Sequence, residues 1–148
     1  MAMKLSDRLA EIVDALPLVE GMRVLEIGCG SGAAARAVSQ RIGSGFVLAI
    51  DRSANAIQQA IAGSQAAIRS GKLKFRQVAV EDFALEQDEA LFDMAFGIWV
   101  GALDGRHPEL EKQALKRIAK ALKKHGRLFI DGGAPLKEIL LERYRREG

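Results

Sequence analysis

Residues 24–32 read Val-Leu-Glu-Ile-Gly-Cys-Gly-Ser-Gly, and a helical pattern follows from Ala33. This stretch constrains the fold more than any other. A short apolar strand that runs into a glycine-rich turn and then a helix is the opening unit of an α/β sheet. Glycine takes positive φ freely and lets the backbone approach a ligand with no Cβ in the way. The following helix presents its unpaired N–H groups and the positive end of its dipole to the same place. The order of elements therefore makes a ligand site at the carboxyl end of a strand.

The rest of the chain repeats the alternation. Leu5, Leu9, Ile12, Val13 and Leu16 recur at helical spacing, with Ser6 placed to cap and Pro17 to stop the helix. Strands are expected at Val24–Ile27, Phe46–Ile50, Leu73–Val78, Phe92–Gly97 and Arg127–Ile130. Helices are expected at Ala33–Ile42, from Ser53 to about Arg69, at Glu109–Lys123 and at Pro135–Arg146. Alternation of this kind implies a mainly parallel, doubly wound α/β sheet with right-handed crossovers and helices on both faces. No repeat, low-complexity segment or long linker divides the 148 residues, so they read as one domain: an N-terminal helix over 1–18 and an α/β core over 19–148.

Composition narrows the classes. The chain is 49% hydrophobic and 28% charged, the balance of a globular protein. No apolar run approaches the roughly 18 residues of a membrane span, and the N-terminus lacks the order of a secretory signal. A single cysteine excludes an internal disulfide and a multi-cysteine metal site. A cytoplasmic protein with no membrane contact is the simplest account. The net charge of +3 permits an acidic or nucleic-acid partner without arguing for one.

Glu26, Gly28, Gly30 and Gly32 form an acid-x-Gly-x-Gly-x-Gly pattern that resembles motif I of the class I S-adenosylmethionine (SAM)-dependent methyltransferases. Gly28, Gly30 and Ala33 also satisfy the G-x-G-x-x-A turn of dinucleotide-binding folds, so an NAD-dependent oxidoreductase stays open. Glu26 discriminates between them. A carboxylate in a strand buried on both faces is costly unless it has partners, and a dinucleotide fold normally has an apolar residue there.

The resemblance runs from strand 1 to strand 5 and implies a Rossmann-like sheet of order 3-2-1-4-5. It also implies SAM as cofactor and S-adenosylhomocysteine as product. On that reading Glu26 faces the amino-acid end of SAM, with Gly28, Cys29, Gly30 and Gly32 forming the turn around it. Asp51, nineteen residues after Gly32, accepts from the ribose hydroxyls, with Arg52 and Ile50 beside the adenine. Val80, through its N–H, and Glu81 or Asp82 hold the adenine edge, or the loop leaves the adenine amine to water. Gly97–Gly101 faces the transferred methyl. Cys29 reads foremost as a small buried residue, and both loop acids read equally well as solvated. Phe83 is expected to pack under the loop, and Trp99 either walls the substrate site or packs half buried on a helix.

Methyl transfer needs an acceptor held in line with the leaving sulfur and, for weakly acidic acceptors, a base. Asp104, Arg106 and His107 lie after strand 4 at the ligand end of the sheet, and His107 is the candidate base, with capping as its other role. Arg106 is placed for an acidic substrate. Asp131 either lines the acceptor pocket or caps the next helix, and His125 is expected as a left-handed turn residue. Sequence signatures of base-amino, pyrimidine-carbon and metal-dependent catechol methylation are missing. A small-molecule acceptor is favoured, ahead of nucleic acid or protein. The family's two further strands, the last antiparallel, are expected to be absent, which leaves strand 5 at an edge open to homodimer pairing. A non-catalytic binding or assembly subunit with this fold is the remaining alternative.

Overall fold

The computed structural model describes residues 5–146. The single-domain expectation also includes residues 1–4 and 147–148, which lie outside the described residues. Ser6 opens α1 (Asp7–Ala15), its Oγ accepting from Leu9 N at 3.2 Å. There follow β1 (Arg23–Ile27), α2 (Ala33–Arg41), β2 (Phe46–Asp51), α3 (Ala54–Ala62), α4 (Gln65–Arg69) and β3 (Leu73–Gln77). After a 3-10 turn at Val80–Asp82 come β4 (Phe92–Gly97), α5 (Pro108–Ala121), β5 (Leu122–Asp131), β6 (Leu136–Ile139) and α6 (Glu142–Arg146).

The strands form one sheet in the order β3-β2-β1-β4-β5-β6, with β1 to β5 parallel and β6 antiparallel to β5. The chain winds outward from β1 to β3 and then crosses back to β4 on the other side. Between β1 and β4 the winding reverses, and a crevice opens at the carboxyl ends of the strands, where ligands bind in such sheets.

Because side chains alternate along a strand, β1 feeds both faces. Leu25 and Ile27 join the core under α5, while Val24 joins the core under α1, α2 and α3. Glu26 points with Val24 toward α2 and is only 2% exposed. The carboxylate in the middle of the sheet is thus a true buried acid. Phe83 is fully buried under the loop after β3, as expected.

The largest departure from the sequence reading is at the end of the chain. Pro135–Arg146 is not one helix. Leu136–Ile139 pairs with β5, Leu128 opposite Ile139 and Asp131 opposite Leu136, and only Glu142–Arg146 is helical. Apolar residues at 136, 139 and 140 satisfy a helical period, but the free edge of β5 offers a ladder of backbone partners that a helix would leave unused. Gly132, at φ 114°, begins the reversal. Arg127 and Glu138, diagonal across the pair, meet in a two-point ion pair at 2.7 and 3.1 Å. A sixth strand is therefore present, and β5 is not the open edge on which the dimer expectation rested.

Two smaller departures concern the expected 53–69 helix and His125. The helix is broken at Gly63-Ser64, where the guanidinium of Arg36 enters the joint. His125 lies in a bulged part of β5 and is not left-handed; among the described non-glycine residues only Asp88 and Trp99 have positive φ.

Candidate functional site

The glycine turn between β1 and α2 is held in left-handed backbone, with φ 70° at Gly28, 54° at Gly30 and 88° at Gly32. Its glycines serve different ends. A Cβ on Gly28 would lie 2.9 Å from Val100 Cγ2, so this glycine makes room for the β4 loop. Around Gly30 there is open space, so this glycine presents bare backbone to the crevice.

Glu26 lies beneath the turn. Among the described residues nothing hydrogen-bonds its Oε1. Burial pushes its carboxyl up to about 8, nearby Asp51 pushes the same way, and Arg36 opposes them. In the ligand-free protein the acid is held mainly neutral at pH 7. It is an acceptor without a donor, set below the loop that a ligand would contact.

Asp51 closes β2 and ties two elements together. Its Oδ2 accepts from Gly30 N at 2.9 Å and its Oδ1 from Ser53 N at 2.9 Å. The helix-start role of this acid and its place beside the glycine turn are both realised. Each oxygen keeps a further lone pair, so the bonds do not exhaust the carboxylate as an acceptor.

A cavity of about 480 Å³ occupies the crevice. It brings together Gly28, Gly30, Asp51, Arg52, Val80 and Glu81 from the expected cofactor set, with His107 across from them. Glu26, Cys29, Gly32, Asp82 and Gly97 do not line it. Cys29 is buried, its thiol pushed up beyond the ordinary range by burial and by the carboxyls of Glu26 and Asp51. A Cβ on Gly32 would lie 2.9 Å from Arg36 Nη1, and one on Gly97 would lie 3.0 Å from Val100 Cγ2. These residues shape the wall from behind.

On the β4 side, His107 makes no side-chain capping bond to α5. Its side chain is 56% exposed, with Nδ1 3.5 Å from Glu109 Oε1. Asp104 does not line the cavity, and both its oxygens take Arg106 Nε at 3.0 Å. Asp131 neither lines the cavity nor caps a helix. It accepts from Trp99 N at 3.0 Å and from Arg8 Nη2 at 3.2 Å. Among the described residues no cluster of His, Cys, Asp and Glu is placed to hold a metal ion.

Arg36 escaped the sequence reading. Its Nη1 donates to Ser31 O and to Ser64 Oγ, each at 2.9 Å, bracing the glycine turn against the α3–α4 joint. The available signal was an arginine four residues after Gly32 in an otherwise alanine-rich first turn. Val100 was visible only as part of an apolar run.

A left-handed glycine turn under a switch-point crevice, with Glu26 inside β1 and Asp51 closing β2, marks the ligand end of a doubly wound α/β sheet. The chain matches the methyltransferase-domain family over residues 24–126 and belongs to it. Solved structures share the fold. The YcgJ protein from Bacillus subtilis is 21% identical, with a TM-score of 0.65 over 83% of this chain and 49% of its own. The cyclase SpnF is 26% identical, with a TM-score of 0.67 over 84% of this chain and 43% of its own. A SAM-dependent methyltransferase from Thiobacillus denitrificans, in complex with S-adenosylhomocysteine, is 20% identical, with a TM-score of 0.65 over 88% of this chain and 50% of its own. The chain thus spans half or less of the length of these proteins. Among curated proteins none matches it. No helix among the described residues is long and apolar enough to cross a membrane.

Proposed function

We propose that the chain binds SAM in the 480 Å³ crevice and transfers its methyl group to a small-molecule acceptor. The observation that carries this reading is the orphaned acceptor Glu26 Oε1, buried below the glycine turn. A bound ammonium next to the turn would favour the ionised form of this acid across the thin wall of the turn. The rest of the site fits the same ligand. Asp51 offers free lone pairs to vicinal hydroxyls, the Val80–Glu81 loop borders a flat base, and Gly30 leaves the backbone bare.

When bound, SAM supplies an activated methyl on a sulfonium, released to an incoming lone pair as the carbon–sulfur bonding electrons return to sulfur. The chain's own task is positioning. The glycine turn and Asp51 fix the adenosyl end, while Ile98, Val100 and Leu110 keep water from the acceptor half. His107, which lines the cavity, would take the acceptor's proton.

Calorimetric titration with SAM, S-adenosylhomocysteine and NAD tests the reading. Binding of both adenosyl ligands without NAD supports it, while NAD binding alone overturns it. A second reading has its own support: SpnF, at 26% identity, is named a cyclase, so a close form of this fold is attached to another reaction. Adenosyl binding with no S-adenosylhomocysteine formed from SAM across a broad small-molecule acceptor panel would favour that alternative.

A further inference from the structure

Trp99 is the chain's one tryptophan. It lines the crevice, yet the residue is 71% exposed. Its φ of 58° lies in the left-handed region, where a bulky residue is a steric outlier. Contacts at its backbone and on one face of its ring hold it there. Its N–H donates to Asp131 Oδ1 at 3.0 Å, and Arg106 Nη2 donates to its carbonyl at 3.0 Å. The Arg106 guanidinium also stacks 4.1 Å from the ring centroid. Asp104 anchors that guanidinium through Nε, and Arg8 pairs with Asp131.

A ring of this size gains most by being buried. Here the chain instead uses a buried carboxylate of β5 and a surface ion pair to keep it facing outward in disfavoured backbone. Strain that surrounding contacts over-determine, beside a ligand cavity, is the pattern of a ligand clamp. The surrounding half of the cavity agrees. Ile98, Val100 and Leu110 are apolar, Gly101 is small, and the polar side chains on this half belong to Arg106 and His107. The carboxylates that line the cavity, Asp51 and Glu81, come from the opposite half beyond β2 and β3.

We infer that Trp99 is the specificity-determining platform for the acceptor, and that the acceptor is a planar aromatic compound laid against its ring. This rests on the methyl-transfer reading above for the word acceptor, but the ring preference itself does not. An acidic substituent on the ring meets no lining carboxylate on this half. The Asp104–Arg106 pair holds one face of the ring and so fixes its pose, leaving the opposite face for the acceptor.

The test uses 4-hydroxybenzoate and cis-4-hydroxycyclohexanecarboxylate, matched in substituents and differing in planarity. Each is titrated into the protein with and without S-adenosylhomocysteine, following heat and the emission of the single tryptophan. The planar probe should bind about twofold to tenfold tighter, the range of an aromatic stacking contact, and quench Trp99. Trp99→Ala should abolish that preference, Trp99→Phe should keep most of it, and both should keep the wild-type circular dichroism and a single cooperative melt, which shows that they fold. Equal affinity for the two probes, including none for either, overturns the inference, as does a preference that survives Trp99→Ala. Failure of the methyl-transfer reading shows separately, as no binding of S-adenosylhomocysteine by the wild-type protein.

Discussion

At the scale of single residues, Glu26 sets stability against ligand binding. Its carboxyl is pushed from an ordinary 4.5 up to about 8, first by burial and then by Asp51. The folded state therefore holds a proton that the unfolded chain releases near its ordinary value. The associated stability is fully present below about pH 4.5, falls as pH rises toward 8, and is flat above. Over that window the loss is on the order of 5 kcal/mol. Denaturant unfolding of the ligand-free protein at pH 5 and pH 8 should show this fall, and Glu26→Gln should remove most of it. A mutant with the wild-type pH slope would assign the slope elsewhere. The same acid predicts a proton count on binding. S-adenosylhomocysteine, whose ammonium favours ionised Glu26, should release a proton near pH 7, whereas methylthioadenosine, which lacks the amino acid, should release none. Calorimetry in buffers of different ionisation enthalpy reads the difference. Asp51→Ala should cost adenosyl ligands about 1.5–3 kcal/mol, the scale of hydrogen bonds to a charged group. Unchanged affinity in a folded mutant would remove its ribose role.

At the scale of elements, the glycine turn depends on α2 and on the α3–α4 joint as much as on its own glycines. Arg36 joins them through Ser31 O and the buried Ser64 hydroxyl. Arg36→Ala should destabilise the fold by about 1–3 kcal/mol, because those acceptors lose a charged donor. It should also speed amide exchange at Gly30 and Gly32 and move Glu26 ionisation to higher pH, since Arg36 is the group that lowers it. Arg36→Met keeps the aliphatic stem and should show the same exchange change with less lost packing. Wild-type protection at these amides in both variants would show that the turn stands without its brace. These contacts also mark what was legible in the sequence. The strands β1, β2 and β4 and the turn could be read, because apolar runs ending in glycine or aspartate carry their own local signal. Asp51 was legible for the same reason. Leu136–Ile139 was not, because its residues fit a helical period and only the neighbouring edge of β5 decides for a strand. Nor was the Arg36 brace or the outward pose of Trp99. Both depend on partners far along the chain, Ser64 in one case and Asp131 in the other.

At the scale of the whole molecule, both cores are laid on one sheet and share β1, β2, β4 and β5. Neither core can be lost without exposing the other face of the same strands, so unfolding should be a single transition. The ligand site reports on that transition because it is assembled from the ends of β1, β2 and β4 and the loop after β3. A ligand that binds only the assembled ends stabilises the whole fold by mass action. At a hundredfold excess over its dissociation constant, S-adenosylhomocysteine should add about 2.7 kcal/mol. For a chain of this length that raises Tm by about 5–10 °C. Glu26→Gln and Asp51→Ala, melted at the same ligand concentration, should each lose most of the rise. Without ligand, their own Tm values should move in opposite directions at pH 8. Glu26→Gln removes a buried carboxyl that is costly in charged form, whereas Asp51→Ala breaks the bonds to Gly30 N and Ser53 N. A ligand that raised Tm equally in the wild type and both variants would be binding outside the crevice. Two separate melting steps in the ligand-free protein would show that the faces of the sheet are independent, against the shared strands on which the site depends.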